Sequence, residues 1–379
     1  MNFEVSKMEK LLRASTKEFT EKYISDISFD LDKTGEYPEN VINEMGKTDY
    51  LGIIIPKEYG GLGLDAVSLA IVAEEIGYKC ASIGAILISH LALSANAIIE
   101  YGSNTVKEKY LPKLTTGEYI GGYAYSEVGA GVGSGPDRLV IKKEGNNYVL
   151  NGKKFAAANG GVAGVYVVYG IIDEELGAKS LTAVVVDAKA NGLTVEANVD
   201  KMGVRSYKTA TLAFDNVKVP LDNLLGEEGK GKAVATDVKA LGDIISGAVA
   251  VGIAKDAIDA SVAHTNTRVQ FGNPIGRIQA VTKMLADMDA RRYAIEAVSY
   301  RAAVTHANGG DYIYEAALLK DFAIKPCFEI VTNAVQIHGG TGYSREAHIE
   351  RLFRDMKAFF IIEEMAEMPE LIISKALNK

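Results

Sequence analysis

The chain has no tryptophan, two cysteines, five histidines and eight prolines in 379 residues, and no surplus of positive charge. Each shortage excludes something. Cys80 and Cys327 lie far apart inside helical patterns, where they read as small buried hydrophobes and not as a redox pair. The histidines show no His-x-x-x-His spacing and the cysteines no Cys-x-x-Cys spacing. A mononuclear metal site normally needs three or four convergent ligands, so no metal is expected. With 41 Lys and Arg against 49 Asp and Glu, the net charge is −8. That balance offers no general attraction to nucleic acid or to an anionic membrane. The most apolar stretch, Ile83 to Ile99, is broken by Ser89, His90, Ser94 and Asn96. It falls short of the ~20 apolar residues that span a bilayer and reads as a buried helix. The N-terminal stretch alternates charged and apolar residues and carries no signal-peptide core, so a cytoplasmic location is the expectation.

What is present is an ordinary globular composition, 48% hydrophobic and 24% charged, in a chain long enough for two or three packed units. Three textures follow one another, and they predict an α+β multi-domain protein. In residues 1–119 apolar residues recur at helical steps, as in Met8, Leu11, Leu12, Phe19 and Tyr23, interrupted by the Pro- and Gly-rich loop from Pro56 to Asp65. Residues 120–230 turn to β-branched runs such as "GVYVVYG" and "SLTAVVVD", which predict a central antiparallel β-barrel or sandwich. Turns are expected at Asn146-Asn147, Asn151-Gly152 and Asp215-Asn216. In residues 231–379 the helical period returns through Leu241, Ile244, Ile245, Ala248, Val251, Ile258 and Val262, and again from Ile278 to Val298. This predicts a C-terminal four-helix bundle. Its third helix runs from Tyr312 to Ile337, with a kink expected at Pro326 and with Leu319, Phe322, Phe328, Val331 and Val335 toward the core. A last helix spans roughly Ala366 to Leu377.

Six strings carry chemistry beyond this architecture: "EKYLPKLTTGEYIGGYAYSEVGAGVGSGPD" (108–137), "NGKKFAAANGG" (151–161), "DKMGVRS" (200–206), "VPLDNLLGEEGKG" (219–231), "RVQFGNPIG" (268–276) and "AVQIHGGTGYSREAHIERLFRD" (334–355). In order and spacing they resemble the acyl-CoA dehydrogenase family over nearly the whole chain. The resemblance implies a homotetramer that binds FAD across a subunit interface. Arg268, whose planar fork suits a pyrophosphate, would contact the FAD of the neighbouring subunit together with Gln270 and Phe271. Gln336, Gly339 and Gly340 would contact the adenosine diphosphate half, and Ser126 the flavin. The helix ending at Gly339 and Gly340 also reads simply as a helix stop.

The family's reaction removes an α-proton from an acyl-CoA thioester while the β-hydrogen leaves as hydride to flavin N5. The family's base lies nine residues after the Arg of an Arg-Asp pair, and nine on from Arg354 is Glu363. Read without the resemblance, Glu363 is a glutamate at a helix start, where acids are favoured anyway. Electron-transferring flavoprotein is the acceptor the resemblance implies. The sequence departs from the family near the flavin ring and substrate. Trp-x-Thr is Ala156-x-Ala158, Asp-x-x-Arg is Ala240 and Asp243, and the Gly-Thr after the base is Glu364-Met365. Glu364 and Asp243 are thereby drawn in as substrate-side residues. The expected function is an FAD-dependent acyl-CoA dehydrogenase or enoyl-CoA reductase. A non-redox acyl-thioester enzyme of this fold and a non-catalytic binding or assembly subunit stand as the alternatives.

Overall fold

The computed structural model describes residues 6–129, 131–135, 138–359 and 369–378. Glu363 and Glu364 lie outside them.

The chain opens with helices whose starts are written in their capping residues. α1 (Lys7–Tyr23) begins with a capping box, in which Ser6 Oγ accepts from Glu9 N at 3.1 Å and the Glu9 carboxylate accepts from Ser6 N at 2.6 Å. Two short helices, α2 (Ser28–Thr34) and α3 (Glu39–Lys47), follow. α4 (Ala66–Lys79) is capped by Asp65, which accepts from Ser68 N at 2.9 Å. α5 (Ala81–Leu87), a π-helical turn (Ile88–Ala95) and α6 (Asn96–Tyr101) form one continuous rod. By length and hydropathy alone Ala81–Tyr101 could cross a membrane, but 94% of its most apolar window is buried inside the protein. It is the core helix the polar interruptions suggested. α7 (Asn104–Thr116), capped by Ser103, closes the helical part.

The central part is an eight-stranded sheet. Its strands are β1 (Gly121–Ala124), β2 (Val140–Glu144), β3 (Asn147–Ala158), β4 (Val165–Ile171), β5 (Leu181–Asp187), β6 (Leu193–Asn198), β7 (Thr209–Pro220) and β8 (Leu224–Leu225). Their order is β6-β7-β3-β1-β4-β5-β8, and β2 also joins β3 to β4. Because β1 and β2 both bridge β3 and β4, the sheet wraps around an inner core that includes Leu139, Ile141, Tyr148, Val168, Val184 and Leu212. Pairing is antiparallel as expected, except that β4 runs parallel to β1 and to β2.

Two of the three expected turns are corrected. Asn151-Gly152 lies within β3 and Asp215-Asn216 within β7. The register shifts between Leu150 and Gly152, where the strands bulge. Gly152 has φ +131 and Asn216 φ +52. Asn151 Oδ1 accepts from Asn216 N at 2.9 Å, so the two asparagines lock the bulge across the strands. Asn and Gly signal positive φ, and a bulge uses that as readily as a turn.

The C-terminal part packs α8 (Gly231–Thr267), α9 (Gln279–Ala307) and α10 (Tyr312–His338), with α11 (Gly340–Tyr343), α12 (Ile349–Ala358) and α13 (Pro369–Leu377). α8 is the central element, buried against α4, α9 and α10. α10 runs unbroken through Pro326. Leu319 and Val331 face the core, whereas Phe322, expected there, is 46% exposed, and so is Val262 at 42%. Between α8 and α9 a small hairpin, β9 (Val269–Gln270) and β10 (Asn273–Pro274), turns on Phe271-Gly272 with φ +51 and +79.

Candidate active site

A cavity of about 400 Å³ opens where the sheet meets the C-terminal helices. Four elements build its walls. Alternation along β1 sends Ala124 into the sheet core and Tyr123 to the other face, and Tyr125 and Ser126 follow in the next loop. The end of β3 contributes Phe155, Ala156 and Ala158, with Ala156 at φ +49 in a second register shift. The 199–204 loop, with Tyr207 and Thr209, forms the opposite side. Lys239 of α8 and Arg354, Lys357 and Ala358 of α12 close it.

A buried ion pair holds the β1 side. Lys154 Nζ lies 2.7 Å from Glu127 Oε1, and it donates to Tyr125 O at 2.9 Å. Glu127 also accepts from Gly133 N at 2.8 Å and Leu139 N at 3.0 Å. The burial of Lys154 pushes its ammonium down to about 8, against the pull of Glu127. Four hydrogen bonds therefore set the course of the chain around Tyr125 and Ser126.

The opposite wall is clamped from α12. Arg354 grips Asp32 through two bonds of 2.8 and 2.6 Å, pairs with Glu350 at 2.6 Å, and donates to Met202 O at 2.8 Å. Gly203 passes so close that a Cβ there would sit 2.3 Å from Arg354 O. Next to it Val204 N donates to Asp355 Oδ1 at 2.6 Å. The loop is thus fixed against α12 by backbone contact on both sides of Gly203.

Between these walls stands a tyrosine cluster. Tyr123 and Tyr125 stack with centroids 6.3 Å apart, and Tyr169 meets each edge-on at 5.2 Å. Lys239 Nζ sits over the Tyr125 ring at 4.1 Å and 5.9 Å from the Tyr123 centroid. Thr209 Oγ1 is buried with no hydrogen-bond partner among the described residues.

The expected site residues fall into separate groups. Ser126 lines the cavity. Arg268, Gln270 and Phe271 are exposed on the β9–β10 hairpin, Phe271 at 93%. Gln336, Gly339 and Gly340 are exposed at the end of α10. These last two groups are neighbours, because His264, four residues before Arg268, stacks on His338 at 4.4 Å. Asp243, expected at the substrate, is instead buried between helices with its carboxylate 2.8 Å from Lys320 Nζ. Burial raises its pKa, and Lys320 and then Lys239 oppose that rise. Glu363 and Glu364 belong to the stretch outside the described residues.

Sequence reasoning missed Tyr123, Tyr125, Phe155, Lys201 and Lys239, all of which line the cavity. Lys239 had a signal. It occupies a core-facing step of α8 beside Val238 and Ala240, both fully buried, and a cation among such positions calls for a reason.

The cavity fits a planar ring with hydrogen-bonding edges. Ala156 and Ala158 keep its floor open, and Thr209 offers a hydroxyl without a hydrogen-bond partner among the described residues. At the end of α10, Gly339 has φ +59 and ψ −135, and a Cβ on Gly339 or Gly340 would meet nothing within 4 Å. That leaves backbone open to a ligand.

Comparison with known proteins agrees across the chain. The N-terminal, middle and C-terminal domain families of acyl-CoA dehydrogenase match residues 6–118, 122–217 and 229–378. The chain is 35% identical to the short-chain-specific acyl-CoA dehydrogenase of Clostridium acetobutylicum, over 99% of each protein. It is 34% identical to the acryloyl-CoA reductase (NADH) of Anaerotignum propionicum, over 100% of this chain and 96% of that one. Among solved structures it is similar to butyryl-CoA dehydrogenase from Megasphaera elsdenii, with a TM-score of 0.96, 32% identity and full coverage of both chains. The chain belongs to the acyl-CoA dehydrogenase family and is an oxidoreductase of the class acting on CH–CH bonds.

Proposed function

We propose that this protein binds FAD and catalyses α,β-dehydrogenation of an acyl-CoA thioester, or the reverse reduction of an enoyl-CoA. The observation that carries the reading is the cavity between β1, the end of β3 and α12, lined by residues that fall within the matched middle and C-terminal domains of the family. When bound, FAD supplies the acceptor or donor of the β-hydride.

The chain's own residues do the rest. Ser126 and Thr209 offer hydroxyls to the ring, and the stacked Tyr123 and Tyr125 wall the cavity and exclude water. Glu363, five residues after the cavity-lining Ala358, is the base that takes the α-proton. Gln336, Gly339 and Gly340 bind the adenosine diphosphate half of FAD. Arg268, Gln270 and Phe271, exposed on their hairpin, reach the FAD of a neighbouring subunit in a homotetramer. Electron-transferring flavoprotein is the electron partner in the dehydrogenase direction. The protein works in the cytoplasm.

The test is the visible spectrum of the purified protein, followed by anaerobic titration with short-chain acyl-CoAs. Flavin absorbance that bleaches supports the reading. Flavin that never bleaches favours non-redox thioester chemistry, and absence of flavin after reconstitution favours a binding subunit. Glu363→Gln is expected to keep the flavin spectrum and lose dehydrogenation; turnover that survives it moves the base to Glu364.

A further inference from the structure

We propose that a second, smaller cleft beside the active-site cavity is an anion site, and that the anion it takes is a phosphate monoester group. The proposal is independent of the acyl-CoA reading.

The cleft has a volume of about 190 Å³ and lies between the end of α2 and the segment from Asn198 to Thr209. It shares Val199, Lys201 and Thr209 with the active-site cavity. Pockets that enclose a whole small molecule run to roughly 300–1,000 Å³, so this space suits one group of a ligand and not its body. Its lining is ionic. Lys201, Arg205 and Lys208 are set against one acid, Asp200, which leaves a formal excess of two positive charges among the described lining residues. Asp200 pairs with Arg205 at 3.1 Å, but its side chain is 93% exposed and water screens the attraction.

The three cations are held by oxygens that carry no full charge. Lys201 Nζ donates to Tyr207 O at 2.6 Å, Lys208 Nζ to Gly35 O at 2.7 Å and Arg205 Nε to Asp32 O at 2.8 Å. Ser206 Oγ adds a bond to Leu31 O at 2.7 Å, so the segment is stapled to α2. The charges are thereby fixed before a ligand arrives, which lowers the entropy lost on binding. Carbonyls orient these groups and leave their charge uncancelled. The consequence shows at Lys201. Burial pushes its ammonium down to about 8, Lys208 and Arg205 push it the same way, and Asp200 opposes them. Like charges gathered in this way are relieved by a bound anion.

The chemistry of the donors selects the anion. An ammonium has three N–H donors, of which each of these carbonyls takes one. A carboxylate brings one charge, whereas a phosphate monoester brings about −1.5 to −2 near pH 7 and three strong acceptor oxygens. That matches both the excess charge and the three cationic side chains.

The experiment titrates the purified full-length protein by calorimetry at constant ionic strength, with chloride as the balancing ion. The probes are inorganic phosphate, methyl phosphate and the singly charged diester dimethyl phosphate. Inorganic and methyl phosphate are expected to bind with a dissociation constant of about 1 mM or tighter, and dimethyl phosphate at least about tenfold more weakly. Lys208→Met should weaken methyl phosphate by about tenfold or more while leaving FAD content unchanged, and Lys208→Arg should restore most of the affinity. Wild-type affinity should fall as pH rises from about 7 to about 9, because Lys201 loses its charge over that range.

No binding at about 10 mM phosphate overturns the proposal, and so does equal affinity for the monoester and the diester; neither result needs a variant. Wild-type affinity in Lys208→Met overturns it as well. Displacement of methyl phosphate by saturating butyryl-CoA overturns it by assigning the cleft to the acyl-CoA site. Flavin bleaching by acyl-CoAs is a separate readout, so its failure sinks the acyl-CoA reading and leaves this proposal standing.

Discussion

Lys154 and Glu127 form an ion pair 2.7 Å long whose side chains are 0% and 1% exposed. It joins β3 to the loop after β1, so the wall of the cavity depends on a charge pair kept from water. Such a pair is costly to assemble and costlier to break.

Lys154→Met is therefore expected to destabilise the protein by about 3–5 kcal/mol, because it strands the Glu127 carboxylate. Denaturant midpoints of the variant measure this. Lys154→Met combined with Glu127→Gln should recover part of the loss, and a single-variant loss below about 1 kcal/mol would show the pair to be solvated in solution.

Asp355 offers a pH signature. Burial raises its carboxyl to about 6, opposed by the Val204 N–H and by Arg351, with Asp32 and Arg354 also nearby. The folded state therefore holds this proton more tightly than the unfolded chain, whose carboxyl titrates near 3.8. The stability penalty is full above about 6 and is relieved as pH falls from there toward 3.8. Asp355→Asn keeps an acceptor for Val204 N and removes the titration. Its stability relative to wild type should rise between pH 4 and pH 7 by an amount on the order of 2–3 kcal/mol. A difference that stays flat across that range would falsify the assignment.

Phe271 is 93% exposed and sits at φ +51, an uncommon conformation for a bulky residue. Within one chain it buries nothing, so Phe271→Ser should leave the stability of the isolated subunit within about 0.5 kcal/mol. If the hairpin reaches a neighbour's FAD as proposed, the same variant weakens FAD retention and tetramer association. Unchanged FAD affinity, measured by dialysis and absorbance, would reject that role.

The order of helices, sheet and helices was legible because hydrophobic period is a local property, visible in α8 and β4 without knowledge of their partners. Caps such as Ser6 with Glu9 and Asp65 with Ser68 act over three residues and mark helix starts directly. The family's order of motifs was legible for the same reason. Less legible was what a local signal becomes. Asn151-Gly152 and Asp215-Asn216 declare positive φ, but only the pairing of β3 with β7 decides that they are bulges.

By itself, then, the sequence determined the three textures, the family and the candidates Ser126, Arg268 and Glu363. The tertiary structure decided which charges are buried and with whom. Lys154 meets Glu127, Asp243 meets Lys320, and Lys239 lies over Tyr125, each pair separated by 27 to 114 residues. The physical reason is that desolvating a charge has a cost that only a specific partner offsets, and these partners arrive from elements that period and propensity describe one at a time.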